Sequence, residues 1–591
     1  MFAPASSVAL DLPNQEVQPP NLSQSKNFLS SQPSAPLSVA EAVVKMLTQM
    51  GVKYAFGVSG GAIAPLWHAL KHSSIKVLHF RHEAGAAFAA CEAYFASDHP
   101  VVVFTTAAPG ITNALTGLFA ARWEGAKVIF LSPSTSASQR GRWAFQETST
   151  YTMPDTGIFT SGKLFNYAIT LECSSQLPEI SRRLALGLRK THGFVAHLSI
   201  STAIQSSLVK SSLPQVNLSH SLVTATEERI AECAKLLLEG SFAIWVGFGA
   251  RKAAAEISQL AKRTSAAVMC SPRGKGIFPE DHPQFVGVTG FAGHASVLKY
   301  IHLIQPLHIL VLGTRLSEWT SFWNPAMVPS GGFVHVDIDQ EVPGTAYPEA
   351  ETFAIQSDIG VFVKALLKHF PKDSSPLPKM VLPRPEHHFI NPSTMEPVRP
   401  EVLIDLIQRV VVEGSDAVVM AEAGNSFAWT INRLRFTQPE RYRVSTSFGS
   451  MGHFTTGIVG AALANHGKAV AIVGDGSMLM NNEISTAVRY QIPAVWIVLN
   501  DGYYNMCRQG SMMQGFKDMD AEISQANFAK IAHAIGAEGL RVEKESDVQG
   551  ALEKGISATR PFVIDVVIDP TPCAPIGSRI QSLTLQCANN S

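Results

Sequence analysis

Two carboxylates in the last third of the chain have the spacing of a cation site. Asp475 sits in Gly474-Asp475-Gly476 at the end of an apolar strand, and Asp501 follows Asn500 at the end of the next one. The stretch between them is long enough for one helix and one returning strand, which brings the second carboxylate back beside the first. A glycine turn opening a helix presents backbone N–H groups to an anion. A carboxylate there cannot neutralise a phosphate, but it can hold a divalent cation that does, with oxygen ligands from the adjacent strand end. An ordinary βαβ crossover with a glycine turn accounts for the same pattern. A third carboxylate, Glu83, lies in a helix otherwise filled with Ala, Gly and Phe. A carboxyl in such surroundings is suited to sharing a proton with a ligand nitrogen; a helix-surface carboxylate beside Arg81 and His82 is the plainer alternative.

These residues need elements to position them, and the patterning supplies α/β units throughout. Ser38-Val39-Ala40-Glu41 has the form of a capping box before a helix over 40–50. Strands are expected at Lys53–Phe56, Ile75–His79, Val101–Thr105 and Lys127–Leu131, alternating with helices as in a parallel sheet. A second block has strands at Phe242–Val246, His308–Leu312 and Gly332–Ile338. A third has them at Ala417–Ala421, Ala469–Val473, Ala494–Leu499 and Phe562–Val567. The expected organisation is a disordered leader (1–36), an N-terminal domain (37–205), a linker (206–226) and a central α/β domain (227–370). A Pro-rich linker (371–399), a C-terminal domain (400–570) and a tail (571–591) follow. The second linker is marked by Pro371, Pro376, Pro378, Pro383, Pro385, Pro392 and Pro397.

Composition narrows the function classes. Lys plus Arg and Asp plus Glu each number 47, giving zero formal charge, which argues against nucleic acid or a polybasic membrane contact as partner. No run reaches the roughly 18 apolar residues of a membrane span. The 7 cysteines are scattered without a CxxC pair, so neither zinc nor a disulfide framework is indicated. The N-terminal segment has neither a secretory pattern nor the arginines of a presequence, and a cytoplasmic protein is expected. Arg273-Gly274-Lys275-Gly276 and Gly313-Thr314-Arg315 could meet a nucleotide phosphate or be exposed loop charges. With no GxGxxG a dinucleotide fold is not supported.

Several segments, in order, resemble the thiamine-diphosphate enzymes of the acetolactate synthase large-subunit family. They are YAFGVSGGAIAPLWHAL (54–70), FRHEAGAAFAACEAY (80–94), TAAPGITNALTGLFAA (106–121), AFQET (144–148), AEAGNSFAW (421–429), GSMGHFTTGIVGAALA (449–464) and the GDG-to-Asn-Asp unit. The resemblance spans about residues 38–570 and implies three consecutive parallel-sheet α/β domains: pyrimidine-binding, central and diphosphate-binding. It implies thiamine diphosphate and Mg²⁺ as cofactors. Glu83 would share a proton with N1′ of the aminopyrimidine and so activate the thiazolium C2, and Gln146 would stand near the substrate. Gly61, Pro109 and Asn113 would face the pyrimidine side. Ala423, Gly424, Asn425, Ser426, Asp475, Gly476, Ser477, Tyr504, Asn505 and Met506 would face the diphosphate side, and Met451 would prop the thiazolium. The metal ligands would be Asp475, Asp501 and the carbonyl of Tyr503, with Asn500 replacing Asp501 if the register shifts by one.

Four departures from the family pattern bear on function. The second metal ligand is Asp501 where Asn is usual. The Trp that narrows the acceptor pocket is Gly510 here, implying an open pocket and a bulky partner, such as an aromatic 2-oxo acid. Acyloin synthases of the cyanobacterial scytonemin pigment route are one branch of that kind. The Arg expected in TGIFTSGKLFNY (156–167) is missing, and with it much of the case for FAD. The His pair of pyruvate-decarboxylase-type enzymes has no counterpart around Thr135–Gln146, which favours carbon–carbon bond formation. His453 could face the site, but a core or interface role is its commoner fate. The expectation is a carboligase of small 2-oxo acids, homodimeric or homotetrameric with sites between subunits. Its rivals are a plain 2-oxo acid decarboxylase and a non-catalytic cofactor-binding homologue.

Overall fold

The computed structural model describes residues 36–209, 213, 222–371 and 381–588; the expected leader lies almost wholly outside them. Among the described residues eighteen strands form three six-stranded sheets, and every strand pairing in them is parallel. The first sheet holds β1 (Tyr54–Gly57), β2 (Lys76–His79), β3 (Val101–Phe104), β4 (Lys127–Ser134), β5 (Tyr167–Leu171) and β6 (Phe194–Ser201). The second holds β7 (Phe242–Val246), β8 (Ala267–Cys270), β9 (Phe285–Val288), β10 (His308–Leu312), β11 (Phe333–Asp337) and β12 (Thr352–Gln356). The third holds β13 (Val418–Ala421), β14 (Tyr442–Arg443), β15 (Ala469–Gly474), β16 (Ala494–Asn500), β17 (Glu538–Val542) and β18 (Phe562–Val567).

Strand order separates the sheets by kind. The first runs β2-β1-β3-β4-β6-β5 and the third β14-β13-β15-β16-β18-β17, the same permutation. The central sheet runs β12-β11-β10-β7-β8-β9, which is the 3-2-1-4-5-6 order of doubly wound dinucleotide folds. The absence of GxGxxG therefore misled about topology, because strand order is set by crossovers and not by the loop that meets a phosphate.

The strands expected at Phe242–Val246, His308–Leu312 and Phe562–Val567 fall at those bounds, and the other expected strands lie within a few residues. The first helix is Val39–Gln49, opened by the expected capping box: Ser38 Oγ accepts from Glu41 N, and Glu41 Oε2 accepts from Ser38 N at 2.8 Å. Within the segment read as a C-terminal tail, residues Gly577–Ala588 form a helix. Arg579, Ser582 and Gln586 all contact the Glu318 carboxylate of the central domain.

The elements that matter for the site meet on one packed stack. The Glu83 helix (Glu83–Ser97) starts from His82, whose Nδ1 accepts from Ala84 N, and ends at Asp98 in the left-handed region (φ 55°). Its alanine-rich faces let two neighbours approach almost to backbone contact. A Cβ on Gly117, in the helix Pro109–Glu124, would lie 2.5 Å from Ala87 Cβ; one on Gly460, in the helix His453–Ala464, would lie 2.0 Å from the Ala89 carbonyl oxygen. The first and third sheets thereby share one apolar core cluster.

Candidate active site

At the carboxyl edge of the third sheet, a cavity of about 210 Å³ opens among the loops after β13, β15 and β16. It is lined by Ala423, Gly424, Asn425, Ser426, Met451, Asp475, Gly476, Ser477, Asp501, Tyr503, Tyr504, Asn505 and Met506, together with Gly474, Leu499, Cys507 and Ile568. Every residue the resemblance assigns to the diphosphate, thiazolium and metal is thus gathered around one space.

The local chain explains the gathering. Asp475 is the first residue of a short helix (Asp475–Met480); its Oδ1 accepts from Gly476 N and its Oδ2 from Gly502 N, both at 2.8 Å. That second bond ties the end of β16 to the end of β15. Gly476 admits the Tyr504 ring, since a Cβ there would sit 2.5 Å from the ring edge. The single helix expected after the GDG turn is two, Asp475–Met480 and Ile484–Tyr490. Between them the buried Glu483 accepts from the backbone N–H groups of Arg81 and His82, which ties the break between the two helices to the start of the Glu83 helix.

Asp501, not Asn500, faces the cavity. Its Oδ2 accepts from Asn505 Nδ2 at 2.8 Å. Asn500 is fully buried on the other side, donating from Nδ2 to the Ala526 carbonyl (2.8 Å) and to Asp565 Oδ1 (2.7 Å). Burial, then the nearby Asp501, push the Asp475 carboxyl up to about 7. Burial pushes Asp501 up to about 6, against hydrogen bonds from Asn505 and Tyr503. Two desolvated carboxylates that each resist ionisation are what a divalent cation relieves. The Oδ1 atoms of Asn425 and Asn505 are buried without a hydrogen-bond partner, so polar capacity is left for a ligand. This donor set fits a metal-bound diphosphate.

The second group of expected residues lies on the first sheet. Glu83 is the first residue of its helix, 7% exposed, and accepts from Asn113 Nδ2 at 3.1 Å. Pro109 is the first residue of the following helix, Gly61 lies in the turn after β1, and Gln146 holds a left-handed backbone (φ 52°). None of these five lines the cavity of the third sheet.

Two readings change, and the core role expected for His453 holds. Gly510 does not open onto empty space: it is buried, and a Cβ on it would lie 3.1 Å from Ile580 Cδ1 of the C-terminal helix. Lys275 is no loop charge but fully buried, 2.7 Å from Glu280 Oε2, and Arg273 pairs with Glu124. His453 is wholly buried and stays out of the cavity lining, its Nε2 2.9 Å from Glu92 Oε1. The loop after β7, Gly247-Phe248-Gly249-Ala250-Arg251-Lys252, departs from the dinucleotide fingerprint at its last position, where Lys252 stands in place of glycine. The Arg251 and Arg273 guanidinium groups lie 4.4 and 4.2 Å from the Phe248 ring there. No flavin is assigned to it.

Sequence reasoning missed Glu422 and Gln509. Glu422 Oε2 accepts from the N–H groups of Phe454 and Thr455, both at 2.9 Å, and so caps the helix His453–Ala464 behind Met451. Gln509 accepts from Asn425 Nδ2 at 3.3 Å and donates to the Pro572 carbonyl at 3.0 Å. Glu422 precedes the Ala-Gly-Asn turn directly, which is the one local signal that could have drawn attention to it.

A cation-ready carboxylate pair beneath a glycine turn, on paired sheets of one permuted order, defines a diphosphate-cofactor enzyme. Three family models agree: the thiamine pyrophosphate enzyme N-terminal TPP-binding domain matches residues 37–153, the central domain 230–366 and the C-terminal TPP-binding domain 422–566. The chain belongs to the thiamine pyrophosphate enzyme family and is acetolactate-synthase-like. It is 27% identical to the acetolactate synthase isozyme 1 large subunit of Escherichia coli, over 90% of this chain and 94% of that protein. Isozyme 2 of the same organism is 26% identical over 90% and 95%, and the acetolactate synthase large subunit of Cyanidium caldarium 26% over 90% and 93%. Among the described residues no helix is long and apolar enough to cross a membrane.

Proposed function

We propose that the protein is a carboligase dependent on thiamine diphosphate and Mg²⁺: it releases CO₂ from one 2-oxo acid and joins the remaining acyl carbon to a second carbonyl. The observation that carries this reading is the convergence of Asp475, Asp501, Asn425 and Met451 on one cavity. Asp475, Asp501 and the Tyr503 carbonyl hold the cation, and Asn425, Gly476 and Ser477 meet the diphosphate. Thiamine diphosphate, when bound, supplies a nucleophilic carbon and a sink for the electron pair released with CO₂. Asn113 Nδ2 donates to Glu83 Oε2 and so orients the carboxyl that would exchange a proton with the cofactor.

Because Glu83 stands apart from this cavity, the reading takes the active unit to be a homodimer, with Glu83 of one protomer completing the site of its partner. Trp143 and Phe145, on the Gln146 loop, are 96% and 91% exposed, which suits a surface covered by a second copy. The stretch Thr135–Gln146 carries no His pair, which favours capture of a second carbonyl over protonation to an aldehyde.

Purified protein with thiamine diphosphate and Mg²⁺ tests this with pyruvate, phenylpyruvate, 4-hydroxyphenylpyruvate and indole-3-pyruvate, singly and in pairs, products being read by mass spectrometry. A product lighter than its two substrates by one CO₂ is expected, and aldehydes alone would replace carboligation with simple decarboxylation. Glu83→Gln is expected to lose at least about a hundredfold in turnover, the range of a positioned acid–base group.

A further inference from the structure

We propose that Glu92 and Glu124 are positioning residues that brace the loop carrying Met451 from both ends, an inference that rests on the cofactor site proposed above. The loop runs from Ser445 to His453. At its far end His453 Nε2 lies 2.9 Å from Glu92 Oε1, while Arg443 grips the same carboxylate with Nε and Nη2, each at 2.9 Å. At its near end Ser445 Oγ donates to Glu124 Oε1 at 2.8 Å and accepts from Gly449 N at 3.1 Å, while Arg273 Nη1 stands 2.9 Å from Glu124 Oε2. The two ends are thus built alike: a buried carboxylate from an N-terminal-domain helix, an arginine on one side of it, and a loop side chain on the other.

Packing alone does not call for these charges. Glu92, Glu124, Arg443 and His453 are all 5% exposed or less. Taking carboxylate and guanidinium groups out of water is costly, and apolar side chains of similar volume usually serve stability as well or better. The helix opposite Glu92 even gives up a side chain for it, since a Cβ on Gly457 would lie 2.9 Å from Glu92 Cγ. Burial works against the charge on Glu92, but Arg443 and the hydrogen bond from His453 outweigh it and hold the carboxyl well below the usual range. What a charged hydrogen bond adds over an apolar contact is direction.

Direction is what this loop lacks by itself. Gly449 (φ 65°) and Gly452 (φ 86°) flank Met451 in left-handed backbone, where glycine is conformationally free. Met451 lines the cofactor cavity. Fixing both ends removes the freedom that the two glycines introduce, and a displacement of about 1 Å at a group that shapes the reacting geometry can cost roughly a hundredfold in rate.

Ser445→Ala and His453→Phe test the brace while leaving both arginine–carboxylate pairs in place, and the Phe ring can keep the stacking of His453 on Phe88 and Phe454. The readout is exchange of the C2 proton of bound thiamine diphosphate for deuterium by NMR, with Mg²⁺ and no 2-oxo acid, beside Kd for the cofactor and Tm. Each variant is expected to slow exchange about tenfold with Kd moved less than about threefold, because the diphosphate site is untouched. Ser445→Thr is expected to restore the rate. In a Met451→Ala background neither substitution is expected to add a further loss, the non-additivity of groups acting through one another. Unchanged exchange, or losses that add fully to Met451→Ala, would overturn the brace. A wild-type chain that exchanges C2 but yields no coupled product fails the carboligase reading alone.

Discussion

At the residue scale, the division of labour between Asp501 and Asn500 is the sharpest outcome. They are neighbours in sequence, yet where β16 ends they face opposite ways, one toward the cavity and one toward Asp565. Asp501→Asn keeps an oxygen ligand, so Mg²⁺-supported thiamine diphosphate affinity should fall only about tenfold. Asp475→Asn, which also disturbs the link to Gly502, should cost at least about a hundredfold in the same titration. Asn500→Ala should leave that affinity alone and instead lower unfolding free energy by about 1–3 kcal/mol, since it strips partners from buried polar groups. A chemical denaturation series read beside the titration separates the two effects.

At the element scale, the C-terminal helix ties distant parts of the chain together. Arg579 and Gln586 anchor it to Glu318 in the central domain, and Ile580 seats it on Gly510 of the helix Asn505–Met513, which also bears cavity residues. A missing side chain at 510 is therefore the seat of a helix, and pocket width is decided by two elements instead of one residue. Gly510→Trp should dislodge the helix Gly577–Ala588, because even a Cβ meets Ile580 at 3.1 Å. Limited proteolysis should then cut within residues 571–577 faster than in the wild type, and Ile580→Ala should restore part of the protection.

At the scale of the whole molecule, buried neutral histidines set the acid limit. Burial holds His197, His294 and His335 down at about 4. His197 belongs to the N-terminal domain, where Ser132 and the Ile158 carbonyl bond its ring nitrogens; the other two belong to the central domain. Folded values below the unfolded value of about 6.5 mean that the unfolded chain takes up protons first as pH falls. Their contribution is thus complete above about pH 6.5 and is lost between there and about 4. The raised Asp475 and Asp501 carboxyls act the opposite way over the same window, so the difference between chains carries the test: His197→Gln should lose less Tm than the wild type between pH 7 and 4.5, and equal slopes would contradict the assignment.

Much of the fold and most of the candidate site were legible in the chain itself. Parallel-sheet strands buried on both faces leave continuous apolar runs, so β7, β10 and β18 could be bounded to the residue, and Gly474-Asp475-Gly476 at the end of such a run marked its own turn. Edge strands such as β14 and β17 were not legible, because short or half-exposed segments carry no such run. The helix Gly577–Ala588 hid for a related reason: its burial comes from Glu318 and Gly510, which lie far away in sequence. The Glu92 and Glu124 braces were equally silent, since nothing local to either residue announces an arginine or a loop from another domain. Local composition by itself marked eleven of the strands and the glycine turns, because those depend on neighbours along the chain, while the list of cofactor-facing residues followed from the family resemblance. Which carboxylate faces the cavity, what fills the space beside Gly510, and which buried charges hold the Met451 loop were decided only in three dimensions, where desolvation and close packing pair groups that the sequence keeps hundreds of residues apart.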